Sequence, residues 1–188
     1  QQQISYNMAL DITAYFRAIR DLAGTRSEEI TLFGGSASYN RLENSDFAYV
    51  RGLVLSLSMI ETNGFSASLD YTFQIAKGSA SDPQQARNAI AGGSLPEIQL
   101  TPLDWDQRNT VNMSLAYDRA NWGISGIGQF GSGLPYTPLS TEDISSLVLN
   151  SGKKPLTWNV DLKGYFIPRD GLRLFIRAEN IFDRLNPC

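Results

Sequence analysis

The segment Phe65 to Lys77, FSASLDYTFQIAK, alternates without a break. Phe65, Ala67, Leu69, Tyr71, Phe73 and Ile75 share one phase, and Ser66, Ser68, Asp70, Thr72, Gln74 and Ala76 share the other. Successive side chains on a strand point to opposite faces, so this is a strand with one apolar and one polar side. It is about twice the usual strand length of a soluble domain. A strand so long and so two-faced fits the wall of a membrane barrel, which a chain crosses in about 9–11 residues.

The rest of the chain repeats the pattern. Ile4 to Ala18 alternates, with Ile4, Tyr6, Met8, Leu10, Ile12, Ala14 and Phe16 on one face. Asp46 to Ile60 places Tyr49, Leu53, Leu55, Leu57 and Met59 in phase. Further strands are expected over Asp106–Tyr117, Trp122–Gly131, Thr157–Ile167 and Leu172–Phe182, about seven in all. The connections alternate in length. Residues 20–45, 78–104 and 132–155 read as long polar or Gly-rich loops, with short helices expected from Asp82-Pro83 and after Ser140. Glu61–Gly64, Asp118–Asn121 and Pro168–Gly171 read as tight turns. Short turns at one end and long loops at the other are the pattern of outer-membrane barrels, with turns periplasmic and loops outside. A soluble sandwich would mix loop lengths at both ends.

Exceptions to the apolar phase fall at one end. They are Arg20, Arg51, Lys77, Gln107, Asn109 and Asn180, all toward the long loops, with Arg51 the deepest. A charge on the lipid face costs about 2–4 kcal/mol at the midplane and about 0–1 near the interface, so the strands are expected to continue above the membrane surface. Aromatic residues form two candidate girdles. Phe16, Tyr49, Phe73, Phe130, Trp158 and Phe182 lie toward the loops; Tyr6, Phe65, Tyr117, Trp122 and Phe166 lie toward the turns. The pairs Phe65/Phe73, Trp122/Phe130 and Trp158/Phe166 share one spacing along the chain. At about 3.3 Å per residue and a tilt near 40°, that spacing spans roughly 20 Å along the membrane normal, against an apolar band about 25 Å tall.

Composition narrows the function. The net charge of -3 carries no broad basic footprint for nucleic acid. No apolar run reaches the length of a transmembrane helix, which does not touch the barrel reading. QQQISYNMAL lacks the basic and apolar regions of a signal peptide, so either a leader was removed or the chain begins inside a longer protein. The single cysteine, Cys188, cannot form an internal disulfide. With no histidine, Ser-His-Asp, Cys-His and His-metal chemistry are all excluded, and neither an enzyme nor a cofactor is expected. Asp104, Asp106 and Arg108 read as a polar rim leading into a strand rather than a carboxylate site. Met8, Met59 and Met113 fill the apolar face, and Gly126 and Gly128 mark a bend or close packing within it. On the inward polar phase the lumen-facing candidates are Asp11, Asp70, Gln74, Arg108, Asn112, Asn159, Asp161, Lys163, Arg173, Arg177 and Glu179. Asp70, Asp161, Lys163, Arg173, Arg177 and Glu179 among them are expected to form solvated salt-bridge ladders between neighbouring strands.

An ordered set of segments carries a resemblance: LDITAYFRAIRDL, YNRLENSDFAYVRGLVLSL, GFSASLDYTFQIAKGSASDP, LTPLDWDQRNTVNMSLAY, WGISGIGQFGSGLPYTP, NVDLKGYF and LRLFIRAENIFDRLNP. Together they resemble the C-terminal part of the barrel of TonB-dependent outer-membrane receptors over nearly the whole chain. PLDWDQR, SGLPYTP and ENIFD are the most specific pieces; Asn109 stands where the family often carries His. The resemblance implies an all-β, antiparallel, up-and-down transmembrane segment of a larger, 22-stranded barrel. It implies outer-membrane lipid around that barrel, a plug domain and remaining strands absent from this sequence, and coupling to the inner-membrane TonB complex. The implied activity is import of a scarce small-molecule or oligosaccharide ligand, such as an iron chelate or vitamin. A small structural or adhesive outer-membrane barrel is the alternative. The strand count supports a fragment: about seven is below the usual minimum of eight, and an open sheet would leave two bare edges in lipid.

Overall fold

The structure, a computed structural model, describes residues 2–35, 37–79, 100–138 and 149–186. One antiparallel sheet dominates it. Its strands are β1 (Gln2–Ser5), β2 (Met8–Leu32), β3 (Ala37–Thr62), β4 (Phe65–Gly78), β5 (Thr101–Pro102), β6 (Asn109–Asp118), β7 (Trp122–Gly131), β10 (Thr157–Arg169) and β11 (Leu172–Ala178). The order β1-β2-β3-β4-β6-β7-β10-β11 follows the chain, with β5 also on β4, and the sheet does not close. β8 (Pro135–Tyr136) and β9 (Gly152–Lys153) form a separate small ladder. No helix among the described residues is long and apolar enough to cross a membrane.

Register decides what the two faces are. Because the side-chain period is two, a slip of one residue between neighbours would mix the phases. None is mixed along the shared span. Leu10 pairs with Leu57, Leu57 with Leu69, Leu69 with Met113, Met113 with Gly128 and Gly128 with Val160. One step toward the loops, Ile12, Leu55, Tyr71, Val111, Phe130 and Trp158 form a second such row. One apolar face therefore runs unbroken over the sheet. Little of this chain covers it: Ile12 is 59% exposed and Phe166 51% exposed. None of Leu53, Leu55, Leu57, Leu69, Tyr71 and Phe73 is buried. A sandwich would bury that face against a second layer; the described residues supply none.

Several boundaries differ from the sequence reading. The expected loop over 20–45 is mostly strand: β2 runs to Leu32, Phe33–Gly35 makes the turn, and β3 begins at Ala37. Backbone pairing sustains this ribbon without an apolar face, and register shifts between Ile19 and Glu29 absorb its irregularities. The first strand is broken, with Tyr6 and Asn7 turning β1 back onto β2. Tyr6, expected on a strand, thus sits in a turn and is 96% exposed. The last strand stops at Ala178, short of Phe182, where Asn180 and Asp183 adopt positive φ of 49° and 48°. The tight turns are as expected: Asn63 and Gly64, with φ of 54° and 86°, join β3 to β4, matching the Asn-Gly signal. The expected helices at Asp82 and after Ser140 lie outside the described residues.

Candidate functional site on the polar face

The opposite face is built in transverse rows. Asp11, Ser56, Asp70, Asn112, Gln129 and Asn159 are successive partners across six strands. The row beside it holds Thr13, Val54, Thr72, Thr110, Gly131 and Thr157. Side chains bond along the rows where they are short: Ser56 Oγ donates to Asp70 Oδ1 at 2.6 Å, and Ser68 and Ser114 share a hydrogen bond of 2.7 Å. The candidates Asp11, Asp70, Gln74, Asn112, Asn159, Asp161, Lys163, Arg173 and Arg177 therefore fall on one face by register. Arg108 precedes β6, and Glu179 follows β11 in a bend.

The expected cross-strand salt-bridge ladder is replaced by other contacts. Lys163 stands opposite Arg177, and Asp161 opposite Ile127, so the register sets no acid against a base there. The Asp161 carboxylate accepts instead from Asn159 Nδ2 at 3.0 Å and from the Asn180 backbone N–H at 2.8 Å. Arg177 pairs with Glu179 at 2.9 Å within its own segment. Arg173 lies 3.8 Å above the Tyr165 ring, whose hydroxyl donates to Asp118 at 2.8 Å.

Depressions open at two places. The first, about 370 Å³, is lined by Gln107, Thr110, Asn112, Gln129, Thr157, Asn159 and Asn186, with Phe130, Gly131 and Trp158 completing it. Its amides and hydroxyls offer donors and acceptors without net charge, which suits hydroxyl-rich or amide surfaces and no proton chemistry. Asn186 occupies the edge of β10 that β11 leaves open, since its side chain accepts from Trp158 N–H and donates to Trp158 C=O, each at 3.1 Å. Phe182 follows it there, packing on Trp158 with ring centroids 5.3 Å apart.

The second depression lies at the loop end, beside a small apolar island. Ala48, Val50, Ala76 and Leu103 are buried there, with Tyr15 and Ile19 packed against them. All but Leu103 sit on the polar phase of β2, β3 and β4. The island exists because the chain before β6 folds onto the sheet. Leu103 N–H donates to Ala76 C=O at 3.1 Å, Asp106 Oδ1 accepts from Ala76 N–H at 2.7 Å, and Asp106 Oδ2 accepts from Arg108 Nε at 2.7 Å. Asp106, read from sequence as rim, is 1% exposed and takes the place of a backbone acceptor for Ala76 N–H, beyond the last backbone bond from Gln74 N–H to Arg108 C=O. Asp104 accepts from Asn150 Nδ2 at 2.7 Å. Sequence reasoning passed over Arg17, Trp105 and Gln129. Gln129 was readable as a polar-phase residue of β7; the position of Trp105 depends on the fold of its loop.

Aromatic residues of the opposite face gather near its two ends. Phe65 pairs with Tyr117, and Trp122 with Phe166; the Tyr117 and Trp122 rings are 5.6 Å apart. Toward the loops Phe130 pairs with Trp158, and Phe16 stacks on Tyr49 at 6.1 Å.

No protein-family model matches the chain, and no curated protein matches it. Among solved structures it is similar to copper transporter OprC, with a TM-score of 0.55 and 13% identity. The match covers 96% of this chain and 24% of that one. The fold is an open, all-β, antiparallel barrel-wall segment. The chain spans about a quarter of that transporter's length, and at this identity the likeness is one of fold.

Proposed function

We propose that this chain is part of the wall of a TonB-dependent outer-membrane receptor, with its apolar face in lipid and its polar face lining the lumen. One observation carries the reading: the apolar face is in phase across β2 to β11 and nearly uncovered, while the face behind it is mostly polar, with an apolar island at its loop end. Such a sheet is at rest only between two solvents. The fold likeness to a transporter and the ordered receptor-like segments support the finer assignment. β11 is exposed along its whole length, and most of β2 is free on its outer edge, which favours further strands completing the cylinder. In this reading Phe65, Tyr117, Trp122 and Phe166 form the periplasmic girdle, and Phe16, Tyr49, Phe73, Phe130, Trp158 and Phe182 the outer one. Tyr6, in its turn, lies beyond the inner girdle. The wall works with a plug, the TonB complex and a small-molecule or oligosaccharide ligand, and catalyses nothing.

Quenching by brominated acyl chains tests the lipid assignment. With the protein in vesicles, single-Trp variants retaining Trp122 or Trp158 are expected to be strongly quenched, and one retaining Trp105 to be spared. Equal quenching of all three, or none of any, would remove the two-solvent wall.

A further inference from the structure

We propose that the loop-end depression of the polar face binds a single-ring aromatic carboxylate. Its volume of about 310 Å³ is at the small end of pockets that hold small molecules. Tyr15, Arg17, Ile19, Val50, Gln74 and Trp105 line it.

The floor is low because the facing positions are small. Gly52 lies opposite both Tyr15 and Gln74, and Val50 lies between Arg17 and Ala76. A Cβ at Gly52 would come within 2.6 Å of the Tyr15 hydroxyl, so glycine lets that ring lie across the sheet. Tyr15 donates to Gln74 Oε1 at 3.4 Å, and Gln74 Nε2 reaches the Trp105 carbonyl at 3.5 Å. Both bonds are long, so the Gln74 amide can turn toward a ligand at little cost. The Trp105 backbone is held by Gln107 N–H donating to its carbonyl at 2.7 Å, while its side chain is 46% exposed.

Arg17 is the charged group of the lining, and among the described residues it has no ion-pair partner. Both carboxylates that flank Trp105 are engaged elsewhere: Asp106 by Arg108 and Ala76 N–H, and Asp104 by Asn150. A guanidinium presents a planar fork that matches a carboxylate, and indole and phenol faces with an apolar floor receive a ring. A neutral sugar would leave the cation unmatched; the amide-lined depression suits that chemistry better. A simple inorganic anion would leave the aromatic walls unused.

This inference needs the pocket alone, so binding in detergent tests it separately from the lipid assignment. With Trp122→Phe and Trp158→Phe, Trp105 is the sole indole of this segment, and its emission is followed while benzoate is added to the folded full-length protein in micelles. A saturable change is expected. Arg17→Gln, an exposed site without a partner, should weaken it about tenfold or more while leaving the β-sheet circular dichroism unchanged. Benzamide and cyclohexanecarboxylate should each bind more weakly than benzoate. Absence of saturation up to about 10 mM benzoate would overturn the proposal. So would an Arg17→Gln protein that binds as well as its parent, or acetate binding as well as benzoate.

Discussion

Gly123 and Tyr165 show how single residues set this sheet. They are direct partners on β7 and β10, and a Cβ at Gly123 would run into the Tyr165 ring and the Asp118 carboxylate that receives its hydroxyl. An aromatic ring over a strand glycine restores packing that the glycine lacks and narrows the register choices. Gly123→Ala is expected to destabilise by about 1–3 kcal/mol, and by clearly less in a Tyr165→Ala background. Denaturant titration of the four proteins of that cycle checks it; additive losses would mean that the ring and the glycine are independent. Asp106 offers a second case. Asp106→Ala leaves the Ala76 N–H without its acceptor and Arg108 without its pair, for an expected loss of about 2–3 kcal/mol. Asp106→Asn keeps an oxygen for Ala76 and should lose less. Equal losses in the same titration would show that charge, not the backbone contact, is what matters.

At the level of the strand, alternation was a good guide along most of the apolar face, the break at Tyr6-Asn7 aside. Phe65–Lys77 was expected and Phe65–Gly78 is found; Trp122–Gly131 is found as expected. It failed where neither face is apolar, as in the outer halves of β2 and β3, because period two marks burial and not backbone pairing. GTRSEE and ENSD carry turn-forming residues, yet Gly24 pairs with Glu43 and Thr25 with Leu42 within the ribbon. It failed again after Ala178, where the Asn180 backbone turns to meet Asp161. If the apolar face meets lipid, Leu69→Arg in the central row should cost about 2–4 kcal/mol, and Ile75→Arg nearer the loops should cost markedly less. Equilibrium unfolding from vesicles measures both. Equal penalties would mean that no depth gradient exists.

For the molecule as a whole, cooperativity is uneven. β4 pairs β3 as far as Ala48, and Ser79 just beyond it still bonds Asp46 and Phe47, so among the described residues 37–45 have β2 as their strand partner and no other. Such a two-stranded ribbon opens more readily than the sheet below it. In the proposed orientation it also stands outside the cell. Trypsin added to intact cells is therefore expected to cut first after Arg41, whose side chain is 70% exposed, and to spare Arg119 and Arg169 at the turn end until the outer membrane is breached. Cleavage at Arg119 or Arg169 in intact cells would reverse or abolish the orientation.

What the chain determined by itself was the existence of most long strands, the tight turns, and the split into an apolar and a polar phase. These are local properties, set by neighbours two residues apart and by turn residues such as Asn63-Gly64. Tertiary structure alone decided the transverse rows, because a row is made of residues distant in sequence and aligned only by register. It also decided that Asp106 is buried beneath its own loop, that Gly52 lies under Tyr15, and that Arg17 and Trp105 border one depression. Those positions follow from which backbone groups β4 leaves unpaired, and no spacing along the chain encodes that.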